Sequence, residues 1–445
     1  MDINLFKKNK INITVIGTGY VGLVTGICLA EKGFNIICVD AKEEKIDKLN
    51  EGKLPIYEPG LDELFQKNSS RIKFTTDLID AVKKSHIVFL AVGTPSRENG
   101  EVDLSYLYQI VNDIGIGKYL GRPAMIVTRS TVPPGTTRKI KDIISKYPNK
   151  GFEVASNPEF LSQNSAVKDF MNPYRIVIGT DSPVAREFME YLYKDFDCPK
   201  VFTDLESAEM IKYASNVFLA TKISYISEIS KICDKVGADV FNVIKGMILD
   251  PRIGDKYWRV GIGFGGSCLV KDTLGLYHIA ETHDCHPYLL KAVSDVNNYQ
   301  KTTYLFQKIM SKLGKIEGKT ITVWGLTFKQ DTDDLRESQA VGLIKFLKEK
   351  KAKVKVCDPL FENSMKDYFL DCNNGNSIEF YTDPYESARD SDAVVVVNRW
   401  CGFKKVDERR LKELMKDYYI IDGKNILDSK KMKELGFLYE GMGRR

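Results

Sequence analysis

The chain has no apolar run approaching the roughly 20 residues that span a bilayer. Its opening, MDINLFKKNK, carries neither the apolar stretch nor the cleavage site of a secretory leader. It has no C-x-x-C pair, and its nine cysteines are odd in number. These absences speak against a disulfide framework and for free thiols in a reducing compartment, the cytoplasm by default. Strong charge bias is missing too: 65 basic residues face 60 acidic ones, a net charge of +5 over 445 residues. That balance points away from nucleic acid and membrane surfaces, and is compatible with an anionic small-molecule substrate. Lysine clusters such as Lys7, Lys8 and Lys10, or Lys348 to Lys353, read as solvated surface. One run gathers metal-ligand types, His278, His283, Asp284, Cys285 and His286, but its spacing fits no ligand set and Pro287 follows at once. It reads as a helix-ending loop, and no metal is expected.

What is present is a globular composition, 43% hydrophobic and 28% charged, in a chain long enough for two or three domains. Ile11 to Ile16 is a continuous β-branched run, the pattern of a buried parallel strand. Gly17-Thr18-Gly19-Tyr20-Val21-Gly22 follows, then a helix pattern to about Lys32, then a strand, Asn35 to Val39, ended by Asp40. This strand, G-x-G-x-x-G, helix, strand, acid unit is a dinucleotide site. The glycines let amides at the helix N-terminus hold a pyrophosphate, and the acid accepts from a ribose diol. The acid favours NAD, since it would repel a 2′-phosphate.

Three more buried strands deliver loops from their carboxyl ends, where ligands bind in open α/β sheets. Ile87 to Val92 leads to Gly93-Thr94-Pro95-Ser96. Met125 to Arg129 leads to Ser130-Thr131-Val132-Pro133-Pro134-Gly135-Thr136, and Phe152 to Ala155 leads to Ser156-Asn157-Pro158-Glu159-Phe160-Leu161. Glu159 is the one carboxylate in that last loop. A sixth strand, Arg175 to Gly179, is expected to close the first domain.

From about Asp204 to Val236 there is neither Gly nor Pro, and Met210, Ala214, Val217, Phe218, Ile223, Ile226, Ile229 and Ile232 recur at helical spacing. A helix this long is expected to join two domains and to bury a face against a second subunit. Lys212 and Asn216 stand four apart on it, on one face. Beyond it, Thr320 to Trp324 runs into Gly325, a helix pattern covers Gln339 to Lys350, and Lys353 to Cys357 ends at Asp358. Thr382-Asp383 precedes Ser391 to Val397 at the spacing by which Thr76-Asp77 precedes Ser85 to Ala91. The two ends of the chain therefore look like two copies of one α/β plan, the second without the full glycine fingerprint. Three parts result: 1–203 for the dinucleotide, a central helical part 204–312, and 313–445.

Between the two copies lies Gly261 to Asp272, GIGFGGSCLVKD. Its glycines can approach a ligand closely or take positive φ, and they deliver Cys268 to the start of a helix pattern running from Leu269 to Ala280. A helix N-terminus favours a thiolate, and Asp272 falls one turn along. A dehydrogenase needs such a thiol when it oxidises an aldehyde, which must gain a substituent before it can yield hydride.

The phrases GTGYVGLVTG, STVPPGT, SNPEFL, GFGGSC-x-x-KD and FKxDTxDxRES, in this order, resemble those of the UDP-glucose/GDP-mannose dehydrogenase family, and within it the UDP-glucose 6-dehydrogenases. The resemblance covers about Lys10 to Gly436. It implies two Rossmann-like doubly wound domains joined by a long central helix. The implied activity is a four-electron oxidation of a nucleotide sugar's C6 hydroxymethyl to a carboxylate with two NAD, UDP-glucose giving UDP-glucuronate.

By resemblance Cys268 forms a thiohemiacetal and then a thioester, and Glu159 is the acid/base. Lys212 stabilises the oxyanion, Asn216 and Asp272 orient substrate and water, and Thr131 lies beside that water. The implied NAD contacts are Gly17 to Gly22, Asp40, Lys45, Gly93, Thr94, Ser130, Thr131, Gln163, Lys271 and Arg336. Those for the sugar nucleotide are Glu159, Phe160, Leu161, Lys212, Asn216, Arg252, Arg259, Phe264, Gly265, Phe328, Lys329 and Lys424. Arg252 matches a residue reaching a neighbouring subunit, which implies at least a homodimer. Gln163 stands where the family has a glutamate, Lys424 where it has an arginine, and Asn398-Arg399-Trp400 where it has Thr-Glu-Trp. The competing readings are a GDP-mannose or UDP-hexosamine 6-dehydrogenase, a regulatory NAD-binding protein, and a single-step 3-hydroxy-acid dehydrogenase. Arginine after the glutamate is usual in the hexosamine enzymes, and Phe160 stands there. The intact Cys268, Lys212 and Glu159 speak against a dead site, and the cysteine and second α/β part against a single-step enzyme.

Overall fold

The computed structural model describes residues 11–116, 125–147, 152–332, 334–361, 365, 366, 369 and 378–444, and the chain divides into two compact units, 1–215 and 216–445. In the first unit eight strands form one sheet: β1 (Asn12–Ile16), β2 (Asn35–Val39), β3 (Ile72–Thr75), β4 (Ile87–Leu90), β5 (Met125–Thr128), β6 (Glu153–Ser156), β7 (Ile176–Gly179) and β8 (Lys200–Thr203). Their order is β3-β2-β1-β4-β5-β6-β7-β8, and only the β6–β7 pairing is antiparallel. The expected closure at a sixth strand is thus corrected. Strands β3 and β8 are short and partly exposed, so they lack the continuous apolar run that marks the others. Residues alternate between two cores: Ile87 and Phe89 pack with Ile13 and Val15 on one face, Val88 and Leu90 with Ile16 and Ile126 on the other. Burial on both faces explains why the central strands read as unbroken hydrophobic runs.

The second unit repeats the plan in a wholly parallel sheet of six strands. They are β9 (Thr320–Trp324), β10 (Lys353–Cys357), β11 (Glu379–Tyr381), β12 (Ala393–Val396), β13 (Tyr419–Asp422) and β14 (Leu438–Gly441), in the order β11-β10-β9-β12-β13-β14. The likeness extends to single bonds. Gly17 N–H donates to Val39 O at 2.7 Å, as Gly325 N–H does to Cys357 O. The buried hydroxyls of Thr14 and Ser85 lie 2.6 Å apart, as do those of Thr322 and Ser391.

The two copies differ at the acid. Asp358 is fully buried and accepts from Leu326 N–H, Leu360 N–H and Trp400 Nε1–H. Asp40 keeps some solvent access.

Leu205–Val236 is one continuous helix of 32 residues, shared by the two units. Its apolar residues split between faces: Val217, Ile223 and Ile226 are buried, whereas Met210, Phe218 and Ile232 are exposed. Lys212 and Asn216 are buried, which excludes a solvated face for them. Lys348, expected on the surface, is also buried, because it lies on the core-facing side of the helix Gln339–Glu349. Its aliphatic stem can cover apolar surface there. His283 ends the helix Ser267–Thr282, and Pro287 precedes the next, Tyr288–Tyr299.

Candidate functional site

The glycine loop after β1 leaves room for a pyrophosphate at one of its three glycines, as the space around a Cβ shows. At Gly17 it would lie 2.6 Å from Ala91 O and at Gly22 1.8 Å from Gly17 O, but at Gly19 nothing comes within 4 Å. Gly17 and Gly22 are set by turn and packing, while Gly19 leaves open space at the N-terminus of the helix Tyr20–Glu31. That helix has no side-chain cap and no acid in its first turn, so its free N–H groups suit a phosphate. Asp40 Oδ2 accepts from Thr18 N–H and Oγ1–H and from Lys45 Nζ. Burial pushes the Asp40 carboxyl up, yet the Thr18 and Lys42 hydrogen bonds and the Lys45 charge bring it down to about 2. The residues present therefore fit a dinucleotide with an unphosphorylated adenosine ribose.

The loops after β4 and β5 are tied together, since Thr94 Oγ1 donates to Thr131 O at 2.8 Å and Ser130 Oγ to Val92 O at 2.6 Å. A Cβ at Gly93 would also meet open space.

In the loop after β6, Glu159 Oε1 accepts from Lys212 Nζ at 2.9 Å and Oε2 from Leu161 N–H at 2.6 Å. Both charged side chains are over nine-tenths buried. Burial works to raise the Glu159 carboxyl, but the Lys212 ammonium, the Leu161 amide and the Arg129 charge outweigh it and hold the group below its ordinary value. The Phe160 ring lies 5.4 Å from Lys212 Nζ and 3.8 Å from the Arg175 guanidinium. The first unit thus holds an ionised carboxylate and an ammonium in one dry place, where each stabilises the other.

Three buried charged residues build this unit without having been singled out in the sequence. Arg129 Nη1 donates to Asn157 O and Oδ1, fixing the loop that carries Glu159. Glu58 accepts from Tyr20 OH and from Asn164 and Ala166 N–H, which ties the glycine loop to the segment containing Gln163. Glu209 accepts from Gly135 and Thr137 N–H, closing the loop that carries Thr131. Arg129 follows a strand within a motif, which is a signal of sorts. Glu58 lies 106 residues from Asn164 and gives none.

In the second unit the helix Ser267–Thr282 begins one residue before Cys268, two residues earlier than its apolar pattern indicates. Gly266 caps it at φ +82, where a Cβ would lie 2.5 Å from the Phe328 ring, and at Gly265 it would lie 2.2 Å from Glu337 O. These two glycines are demanded by the protein's own packing. Cys268 is exposed in the first turn, with no acidic residue there, so the free N–H groups and the dipole favour its thiolate. By contrast, burial pushes the thiols of Cys28, Cys38 and Cys357 up to about 12.

One turn on, Asp272 is buried and accepts from Asn216 Nδ2 at 2.6 Å and Lys271 Nζ at 2.7 Å. Buried Phe264 N–H donates to Asn297 Oδ1, and Lys329 follows Phe328 in the turn after β9. Arg252 and Arg336 lie on the surface, paired with Asp250 and Asp334. Arg259 is exposed over the Tyr257 ring, and Lys424 is half-buried beside Gly261.

Three models of one family match consecutive stretches: its NAD binding domain at 11–197, its central domain at 206–299 and its UDP binding domain at 322–429. The chain belongs to the UDP-glucose/GDP-mannose dehydrogenase family. It is 43% identical over 437 residues to a UDP-glucose 6-dehydrogenase of Bacillus subtilis (strain 168), covering 97% of this chain and 93% of that protein. It is 43% identical over 443 residues to another from Rhizobium meliloti (strain 1021), covering 97% and 99%. Among solved structures, a UDP-glucose dehydrogenase from Pyrobaculum islandicum superposes with a TM-score of 0.90 at 35% identity, over 98% of this chain and 99% of that one. The chain is an NAD-dependent oxidoreductase with a nucleotide-sugar substrate. No helix among the described residues is long and apolar enough to cross a membrane.

Proposed function

We propose that the chain oxidises UDP-glucose to UDP-glucuronate through a thioester on Cys268. The observation that carries the reading is the exposed cysteine in the first turn of a helix whose N-terminus is uncapped by any side chain, with buried Asp272 one turn on. The naming of relatives at 40–43% identity supports UDP-glucose over GDP-mannose. The residues that fit NAD are Gly17 to Gly22, Asp40 and Lys45, with the loops of Gly93, Thr94, Ser130 and Thr131 beside the reacting end. NAD supplies the hydride acceptor, one molecule for each of two oxidations.

In this mechanism Glu159, held ionised by Lys212, takes the proton of the C6 hydroxyl as the first hydride leaves. Cys268 Sγ then adds to the aldehyde carbon, and the former carbonyl oxygen, steadied by Lys212 and Asn216, gains a proton. Loss of the second hydride and of that proton gives the thioester. Water oriented by Asp272 and Thr131, its proton passing to Glu159, breaks the C–S bond and frees the carboxylate and the thiol. Phe160, Leu161, Phe264, Gly265, Phe328, Lys329, Arg259 and Lys424 hold the sugar nucleotide, and Gln163, Lys271 and Arg336 contact NAD. The work divides among 1–203, 204–312 and 313–445, the enzyme acts in the cytoplasm as a homodimer or larger, and Arg252 serves a neighbouring subunit.

The test is NADH formed per sugar nucleotide consumed, with UDP-glucose and GDP-mannose in parallel. Two NADH per UDP-glucose, with GDP-mannose inert, is the expected result. One NADH per sugar, or turnover of GDP-mannose alone, would overturn the reading.

A further inference from the structure

Three cations of the second unit, Arg259, Arg399 and Lys424, have no ion-pair partner among the described residues. They meet at one place. Arg399 and Lys424 lie just past the carboxyl ends of the neighbouring parallel strands β12 and β13, where open α/β sheets bind ligands. The segment carrying Arg259 lies against the same ends: Ile262 N–H donates to Gly423 O at 3.0 Å, Gly423 N–H to Val396 O at 2.9 Å, and Arg399 Nη2 to Val260 O at 3.1 Å. That bond is the one side-chain hydrogen bond Arg399 makes among the described residues, so most of its five donors remain open. Its neighbours, Asn398 and Trp400, are buried, while Arg399 itself is exposed.

The nearest acid is spent elsewhere: Asp422 is buried and accepts from Leu427 N–H, Lys424 N–H and Tyr439 OH. Partial desolvation, with repulsion from Arg259 added, lowers the Arg399 guanidinium, and desolvation with both arginines lowers the Lys424 ammonium. Three like charges held together in a partly desolvated place cost stability unless an anion joins them. A planar fork of donors beside two further cations is the arrangement that takes phosphate oxygens in pairs.

We propose that Arg399 is a substrate-binding residue, donating to the diphosphate of the nucleotide sugar with Lys424 and Arg259 beside it. This rests on the nucleotide-sugar reading above and adds a residue to it. Its role is to bind, so the effect falls on affinity and not on the oxidation at C6.

Calorimetric titration of the full chain with UDP, and with uridine as the phosphate-free probe, tests it, together with the KM for UDP-glucose. Arg399→Gln is expected to weaken UDP about tenfold, to raise the KM for UDP-glucose by a similar factor with a smaller change in kcat, and to leave uridine binding and the KM for NAD unmoved. Arg399→Lys, which keeps the charge but loses the fork, should recover part of the loss. UDP binding within twofold of wild type in Arg399→Gln would overturn the assignment, and so would equal weakening of UDP and uridine, which marks a structural role. Wild-type protein that binds no UDP would overturn the nucleotide-sugar reading itself, a failure seen before any variant is made.

Discussion

Lys212 and Glu159 set each other's charge at the scale of single residues. Removing the ammonium as Lys212→Met leaves a carboxylate buried without its main partner, which costs about 3–5 kcal/mol. In the wild type the Glu159 carboxyl lies below its ordinary value, so its stabilising contribution is present above the ordinary carboxylate range and is lost as pH falls through the depressed value. In the variant the acidic limb of the kcat profile should move to higher pH and kcat should fall by about 10²–10⁴; an unmoved limb would show that the pair does not tune the base. Lys424 titrates near neutrality, its ammonium brought down to about 7 by burial and by Arg399 and Arg259. A diphosphate binds the charged form, so the KM for UDP-glucose should rise as pH climbs through about 7. Lys424→Arg, charged throughout, should flatten that rise, whereas a flat wild-type profile would remove Lys424 from the site.

Glu209 shows what an element contributes. It reaches from the long helix Leu205–Val236 to the first turn of the helix Thr136–Ser145, accepting from Gly135 N–H, Thr137 N–H and Thr137 Oγ1–H. Glu209→Ala leaves those buried donors unpaired, an expected loss of about 1–3 kcal/mol. Because the same contact closes the loop of Thr131, kcat should fall with it; a stable variant of full activity would contradict this. Burial pushes the Glu209 carboxyl up to about 7, so the folded state holds its proton more tightly than the unfolded one. The stability this gives is present below the ordinary carboxylate range and is lost as pH rises through about 7. Urea melts of Glu209→Gln should depend less on pH across that window than those of wild type.

The central strands β1, β4, β5, β9 and β12 were legible in the sequence because burial on both faces leaves an unbroken apolar run. Strands β3 and β8 were not, since a four-residue strand with exposed or half-exposed positions looks like a loop. Cys268 and Glu159 stand out in the sequence by residue type and place, and Lys212 by resemblance, whereas the burial that tunes Glu159 does not, because it depends on what the fold packs around it.

At the scale of the whole molecule, the internal repeat shows that a sequence can announce a plan without announcing a use. Asp77 and Asp383 sit at matching spacings because each caps the start of a matching helix, Asp77 accepting from Asp80 N–H and Asp383 from Tyr385 and Glu386 N–H. Asp40 and Asp358 also match in place, but Trp400 and two amides take up the second carboxylate. The same scale governs assembly. Phe218, Tyr225 and Ile232 recur every seven residues along the long helix and are 64%, 48% and 52% exposed, an open apolar stripe. If a second copy covers it, as the proposed homodimer requires, Phe218→Glu should turn a dimer into a monomer by light scattering, and an unchanged mass would move the interface elsewhere.

The central claim is the covalent step at Cys268. Thr131→Ala, which loses a group that orients the hydrolytic water and leaves Glu159 to take the first proton, should accumulate the acyl enzyme when mixed with UDP-glucose and NAD. Mass spectrometry of the quenched protein should then find the glucuronyl-nucleotide mass on the peptide containing Cys268, and hydroxylamine should release it. An unmodified Cys268 in protein that continues to form two NADH per sugar would contradict the account.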